Sequence, residues 1–297
     1  MGRLATSKRK FISAIAFIVL ACASTCWATV AVVVVTPTAI VAVVDTKTVT
    51  YPGKLSAPLA PGRAKKILLV RQHFAVADVG LERFTHPTPA GENVLFDFPT
   101  WISTIEHRLP GEISVTSLSE IIRDKSDRVF THLGVGNFYD PRAEKNEATN
   151  VQRLADFLVI GYENGVPRVN LVEFKIDWKR RRLTQSTEVV HPVQGQRVDF
   201  GMYLFGRYGF VADAGNPQSQ AHRRLADLVP HEYRAALSGE DLTPPQAIRL
   251  AGAFILVESE GEPTQVGFPV DAVTIPRVGN GRSVSYSKEA LDLRPPH

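Results

Sequence analysis

Ala155-Asp-Phe-Leu-Val-Ile-Gly-Tyr-Glu-Asn-Gly-Val-Pro-Arg-Val-Asn-Leu-Val-Glu-Phe-Lys-Ile-Asp177 holds two apolar runs, Phe157 to Tyr162 and Val169 to Ile176, on either side of Asn164-Gly165. Both turn residues accept positive φ, so the pair is a strong hairpin signal. Lys179-Arg-Arg-Arg182 then makes a polar turn, and Leu183 to Val190 offers a third extended segment. The stretch predicts a three-stranded antiparallel meander.

Downstream, Val198, Phe200, Met202, Leu204, Tyr208 and Phe210 occupy even positions, while Asp199, Gly201, Arg207 and Gly209 stand at odd ones. A period of two gives a strand with one apolar and one mixed face. A strand of about ten such residues spans a bilayer. The same letters also fit a half-buried strand or short helix of a soluble domain. Pro192 and Gly195 suit a turn, which makes residues 184–210 a candidate membrane hairpin.

Upstream, Lys65-Lys-Ile-Leu-Leu-Val70 reads as a buried strand and His73 to Asn93 as a long working loop. Phe98, Trp101, Ile102, Ile105 and Leu109 give an amphipathic helix over 96–109. Glu112 to Leu118 alternates as a strand, a short helix follows from Ser119, and Ala148 to Leu154 reads as a helix. Beyond the meander, helices are expected over 221–237 and 246–257, a strand over 266–275, and a disordered tail from Gly279. Strands and helices in this order predict an α/β fold, a sandwich domain with a mixed sheet.

The chain has 297 residues, 22% charged and 44% hydrophobic, with a formal net charge of +4. So small a positive surplus does not indicate nucleic acid. Part of it lies at the start, where Arg3, Lys8, Arg9 and Lys10 precede an uncharged stretch from Phe11 to Val44. A basic head before an apolar body is an export signal. Ile18-Val-Leu-Ala-Cys22 resembles a lipobox, which makes Cys22 the candidate lipidation site. Cleavage after Ala23 or Ala28, or an uncleaved anchor, are the alternatives. The domain plan is thus a leader over 1–22 (or to about 28), a tether over 23–63, an α/β domain over 64–235 and an extension over 236–297. Cys22 and Cys26 are the only cysteines, so no disulfide framework or cysteine metal site is expected.

Asp156, Glu173 and Lys175 have the arrangement of a metal-dependent nuclease core, in which two carboxylates hold magnesium and a lysine activates water. A strand exposing Glu173 and Lys175 on its wet face explains the same letters. The histidines lack ligand spacing, and neither a metal nor a cofactor is expected.

The runs Ala155 to Glu163, Val169 to Asp177 and Leu183-Thr-Gln-Ser-Thr-Glu-Val-Val190, continuing through Pro192 to Phe205 and Ala212-Asp-Ala-Gly-Asn-Pro-Gln218, resemble the curli secretion channel (CsgG-type) family, which includes holdfast-anchor assembly lipoproteins. The likeness spans about 64–233. It implies a non-enzymatic, lipid-anchored outer-membrane protein of the periplasmic face, a homo-oligomer whose subunits close one β-barrel, since open sheet edges cannot lie in hydrocarbon. Its partners would be a secreted fibre or adhesin subunit and accessory assembly proteins. The family's constriction loop would fall at 86–96, with Asn93 and Phe96 as its candidates. The family's pore formers carry a long membrane hairpin where this chain has only Asn164-Gly165. A soluble periplasmic module without a pore is the second reading, and the nuclease the third.

Overall fold

In the computed structural model the described residues are 29–47, 64–81, 83–88, 91–138, 150–193, 197–206, 208–261, 263 and 266–293. The first of them depart from the sequence expectation. Residues assigned to a tether form strands β1 (Val30–Val35) and β2 (Ala39–Asp45), buried along their whole length. A run without charge reads alike as leader, membrane anchor or fully buried strand, because burial on both faces erases alternation. The break is at Thr36-Pro-Thr38, where the Thr36 hydroxyl donates to Ala39 O and accepts from Ala39 N, closing a hairpin.

The chain continues through β3 (Ile67–Val70), β4 (Phe74–Asp78), a separate hairpin of β5 (Arg83–Thr88) and β6 (Gly91–Asp97), helix α1 (Phe98–Glu106) and helix α2 (Val115–Leu133). The predicted meander is present as β7 (Val151–Glu163), β8 (Val166–Asp177) and β9 (Arg182–His191). Its first turn holds Asn164 and Gly165 at φ of 53° and 75°. Then come β10 (Gly201–Gly206), helices α3 (Gln220–Leu228), α4 (Pro230–Ser238) and α5 (Pro244–Gly261), and strands β11 (Val270–Pro276) and β12 (Arg282–Tyr286).

The strands form two five-stranded antiparallel sheets, β10-β1-β2-β11-β12 and β3-β4-β7-β8-β9. They pack face to face through Val33, Val35, Ile40 and Ala42 on one side and Ile67, Ala75, Ala77, Leu158, Ile160 and Leu171 on the other. The outer face of the first sheet, with Val32, Val34, Val41 and Val43, is covered by Leu225, Tyr233, Leu250 and Phe254 of α3 to α5. That of the second, with Val76, Phe157, Val159, Val172 and Phe174, is covered by Phe98, Ile102, Leu118, Ile122 and Phe130 of α1 and α2. The result is a four-layer α/β/β/α sandwich with antiparallel sheets, and neither sheet closes into a barrel.

Several local expectations shift for identifiable reasons. Asp97 caps α1, its carboxylate accepting from Thr100 N at 3.2 Å. The strand expected over 112–118 is instead the start of α2. Ser114 accepts from Ser117 N at 3.0 Å, and the three-and-four spacing of Val115, Leu118 and Ile122 outweighs a short alternation. The helix expected over 221–237 is two, divided at Val229-Pro230. The working loop over 73–93 contains β4 to β6, and the helix expected over 148–154 gives way to β7 from Val151. The tail expected to be disordered instead carries β12, which pairs β11, and buries Leu291 and Leu293.

Phe157 is fully buried and meets Phe98, Trp101, Phe130 and Phe174 at ring-centroid distances of 5.5–6.5 Å. Phe157→Ala is expected to lower the unfolding free energy by about 3–5 kcal/mol, read from urea unfolding. A loss below about 1 kcal/mol would show that the aromatic cluster does not hold α1 and α2 on their sheet.

Candidate active site

At one end of the sandwich the two sheets are joined by polar groups. β1 starts at Val30 directly after Thr29, and β2 ends at Asp45, in register with Val30 by the pairing of Ala31 with Val44. Asp45 folds back so that its Oδ1 accepts from Val30 N at 2.8 Å. Lys66, just ahead of β3 in the other sheet, is fixed by its carbonyl accepting from Asp78 N at 2.8 Å. Its Nζ crosses to the first sheet and donates to Thr29 Oγ1 at 2.9 Å and to Lys47 O at 2.5 Å, and lies 3.5 Å from Asp45 Oδ2. Thr29, Asp45 and Lys66 are 1%, 0% and 0% exposed.

An ammonium has three protons, and these three oxygens can take them all. Sequestering the ion from water costs several kcal/mol, which the opposite charge and two further acceptors must offset. The third acceptor is a hydroxyl on the residue that begins the sheet, and a cation held at 2.9 Å stabilises its deprotonated form.

Gly206 ends β10 opposite Val30 at φ of 83°. A Cβ there would lie 1.9 Å from Thr29 O and 2.7 Å from Val79 Cγ1, so only glycine lets these segments close on Thr29. Val79 N in turn donates to Asp156 O at 2.8 Å. Asp156 is therefore a neighbour of the Thr29 site across Val79, and it opens a second polar group along β7, β8 and β9. Arg153 Nη2 lies 2.5 Å from Asp156 Oδ2 and 2.8 Å from Glu173 Oε1. Lys175 Nζ donates to Glu173 Oε2 at 2.8 Å, and Ser186 Oγ donates to the same oxygen at 3.2 Å.

Burial pushes the Asp156 carboxyl up to about 7, against the opposing charge of Arg153. Burial also acts to raise Glu173, but the hydrogen bond from Lys175 and the charge of Arg153 outweigh it and hold that carboxyl below its usual range. Two adjacent carboxylates are thus driven in opposite directions, an arrangement typical of functional sites.

The nuclease motif is thereby brought together: Asp156 and Glu173 pair across β7 and β8, with Lys175 beside them. Both carboxylates are paired with basic side chains instead of turned to a common cation site. Among the described residues no group of three or more metal-ligating side chains occurs.

The other sequence candidates lie apart. Cys22 falls outside the described residues. Asn93 stands in β6 opposite His86. Phe96 is 3% exposed and packs on Trp101 and Phe130 at 5.6 Å, a core position in place of the constriction suggested for it. Residues 184–210 do not pair as a hairpin, because β9 and β10 belong to different sheets. The alternating face is real over part of its length: Leu204 and Tyr208 are buried, and Met202 and Phe210 partly buried, against the core under α3 to α5. Val198 is exposed, and Phe200 lies beneath the Arg197 guanidinium at 5.8 Å. Thr29, Asp45 and Lys66 were not singled out by the sequence. The one signal was charge bounding an apolar run, at Asp45 after Val44 and at Lys66 before Ile67.

No protein-family model matches the chain, and no match was found among curated proteins.

Two outcomes are expected. Gly206→Ala places a methyl group on Thr29 O and imposes an unfavourable φ, so it should cost more than the roughly 1–2 kcal/mol of the backbone alone, read as a lowered melting temperature. A melting temperature equal to the wild type would contradict the close approach. The second concerns pH. With its pKa raised from 3.8 to about 7, Asp156 holds in the folded state a proton that the unfolded chain releases. Its contribution therefore favours folding at low pH and is lost as pH rises through that window. Asp156→Asn should flatten the fall in urea midpoint between pH 5 and pH 8, and an unchanged slope would remove Asp156 as its source.

Proposed function

We propose that the protein is a hydrolase of amide or ester bonds in which Thr29, once it is the first residue of the chain, is the nucleophile. The observation that carries this reading is the contact of 2.9 Å between Thr29 Oγ1 and a lysine amine with no exposed surface.

The chemistry follows from which groups are committed. Lys66 spends its protons on Thr29, Asp45 and Lys47, so it serves as the fixed positive charge. A hydroxyl nucleophile also needs a base, and an α-amine on the same threonine is one within reach, directly or through one water. The Thr29 hydroxyl proton passes to that amine as Oγ1 bonds to the substrate carbonyl carbon. The Lys66 charge offsets the negative charge developing on Oγ1. The bond to the leaving group breaks, the leaving group takes the proton, and the acyl group remains on Thr29 as an ester. Water then attacks that ester with the amine again accepting a proton, and Thr29 is restored as the acid product departs. Asp45 touches no reacting atom: it positions Lys66 and fixes the start of β1 through Val30 N.

A fold alone does not assign a function, so the weight rests on these groups. The export signal agrees with a location in the cell envelope beyond the cytoplasmic membrane. A homo-oligomeric secretion component of the outer membrane ranks second. The export signal favours it, and the use of residues 184–210 in two different sheets weighs against it.

The test uses a chain beginning at Thr29, released from an N-terminal fusion by a protease that leaves no residue behind, and a β-lactone acylating probe. A single acyl adduct mapped to Thr29 by mass spectrometry is expected, with Thr29→Ser retaining it and Thr29→Ala losing it. Lys66→Met, checked for folding by circular dichroism, should slow acylation by roughly 10²-fold or more. The rate should rise with pH as the α-amine loses its proton, ordinarily near about 8. Labelling elsewhere, or equal labelling of Thr29→Ala, would refute the assignment.

A further inference from the structure

The leader and the nucleophile meet at one peptide bond, and this joins two parts of the molecule that the sequence reading kept apart. The first 28 residues have a basic head at Arg3 and Lys8-Arg-Lys10, an apolar body from Phe11, and Cys26-Trp-Ala28 at the end. Small residues at the last and third-last positions of a leader are what a leader peptidase reads. The next residue is Thr29. Thr29 is buried directly ahead of β1, Val30 is already in register with Gly206, and Thr29 O occupies the space that a side chain at position 206 would fill.

We infer that removal of the export leader after Ala28 is the activating step of the enzyme, so that the chain carries no working nucleophile until it has been exported. The inference rests on the proposed role of Thr29 and adds how that role is switched on. The three cleavage sites open to the sequence differ in consequence. A cut before Cys22 leaves Cys22 to Ala28 attached, and a cut after Ala23 leaves Ser24 to Ala28. In both, the Thr29 nitrogen is an amide, which is not basic and cannot take the hydroxyl proton. Only the cut after Ala28 works: water adds across the bond, the carbon–nitrogen bond breaks, Ala28 leaves as a carboxylate and Thr29 gains an α-amine. The second consequence is that Thr29 need not cut its own bond. A dedicated peptidase reads the leader side, and position 29 is free to serve the sheet and the site.

The experiment expresses the full chain in a bacterial host with its export machinery and reads the N-terminus of the exported protein by mass spectrometry, with β-lactone labelling of the same samples. The wild type should begin at Thr29 and label. Thr29→Ala should still be cut after Ala28, whereas a cut lost in that variant would mean self-cleavage and overturn the inference. Ala28→Phe should retain the leader and lose labelling, and labelling of that uncut chain would also overturn it. An exported wild type beginning at Cys22 or Ser24 is a third refuting result. The chain released directly at Thr29 separates the two proposals. If it labels while the exported protein starts elsewhere, the leader inference fails alone. If the exported protein starts at Thr29 and neither sample labels, the nucleophile reading fails, and the activating role of the cut fails with it.

Discussion

The Lys66 amine stands between two β-sheets with no exposed surface, and the strands around it are arranged to make that tolerable. Its carboxylate partner comes from the end of β2, its hydroxyl partner from the start of β1 and its backbone anchor from the end of β4. None of these can move without leaving a buried charge uncompensated, which costs about 3–5 kcal/mol when one partner of such a pair is removed. The three oxygens therefore fix where the first sheet begins relative to the second. Small residues complete the fit, with Ala31, Ala42, Ala75 and Ala77 in the layer between the sheets and Gly206 where the backbones close on Thr29.

So costly an end needs stability elsewhere, and the outer layers supply it. The aromatic cluster around Phe157 under α1 and α2, and the contacts of Tyr233 and Phe254 with the valines of β1 and β2, are buried and apolar. These regions follow the local rules at their main features: caps at Asp97 and Ser114, a hairpin at Asn164-Gly165, β-branched residues in strands. A fully buried ion pair with a hydroxyl beside it breaks those rules, and such a breach is expected where something other than stability was selected. The second breach, a buried Asp156 with its carboxyl pushed up to about 7, lies at the same end across Val79.

What was readable in the sequence follows from these physics. The meander was legible because its turn chemistry and strand pattern agree, and α1 because its apolar spacing is helical. The first sheet was not, since Val30 to Asp45 carries no polar face to reveal a period, and after a basic, apolar N-terminal stretch it reads as leader or tether. β10 showed its alternation, but alternation reports a face and not what covers it, and here the cover is α3 to α5 in place of lipid. At the site, Asp156, Glu173 and Lys175 were found as a trio because they lie close in sequence. What the spacing did not show is Arg153, displaced by a bulge in β7, which pairs with both carboxylates. Thr29, Asp45 and Lys66 lie on three separate elements, and no spacing rule links them before the sheets are stacked.

The position of Thr29 gives the arrangement its sense. A nucleophile at an interior point of a strand would have its nitrogen tied up as an amide in the sheet ladder. A nucleophile far ahead of the strand would lack the fixed geometry that catalysis by positioning requires. At the first residue before β1, the carbonyl lies against Gly206 and the hydroxyl against Lys66, and the paired register begins one residue later at Val30. One residue thus has two of its polar groups fixed by the fold and the third left to be generated by cleavage.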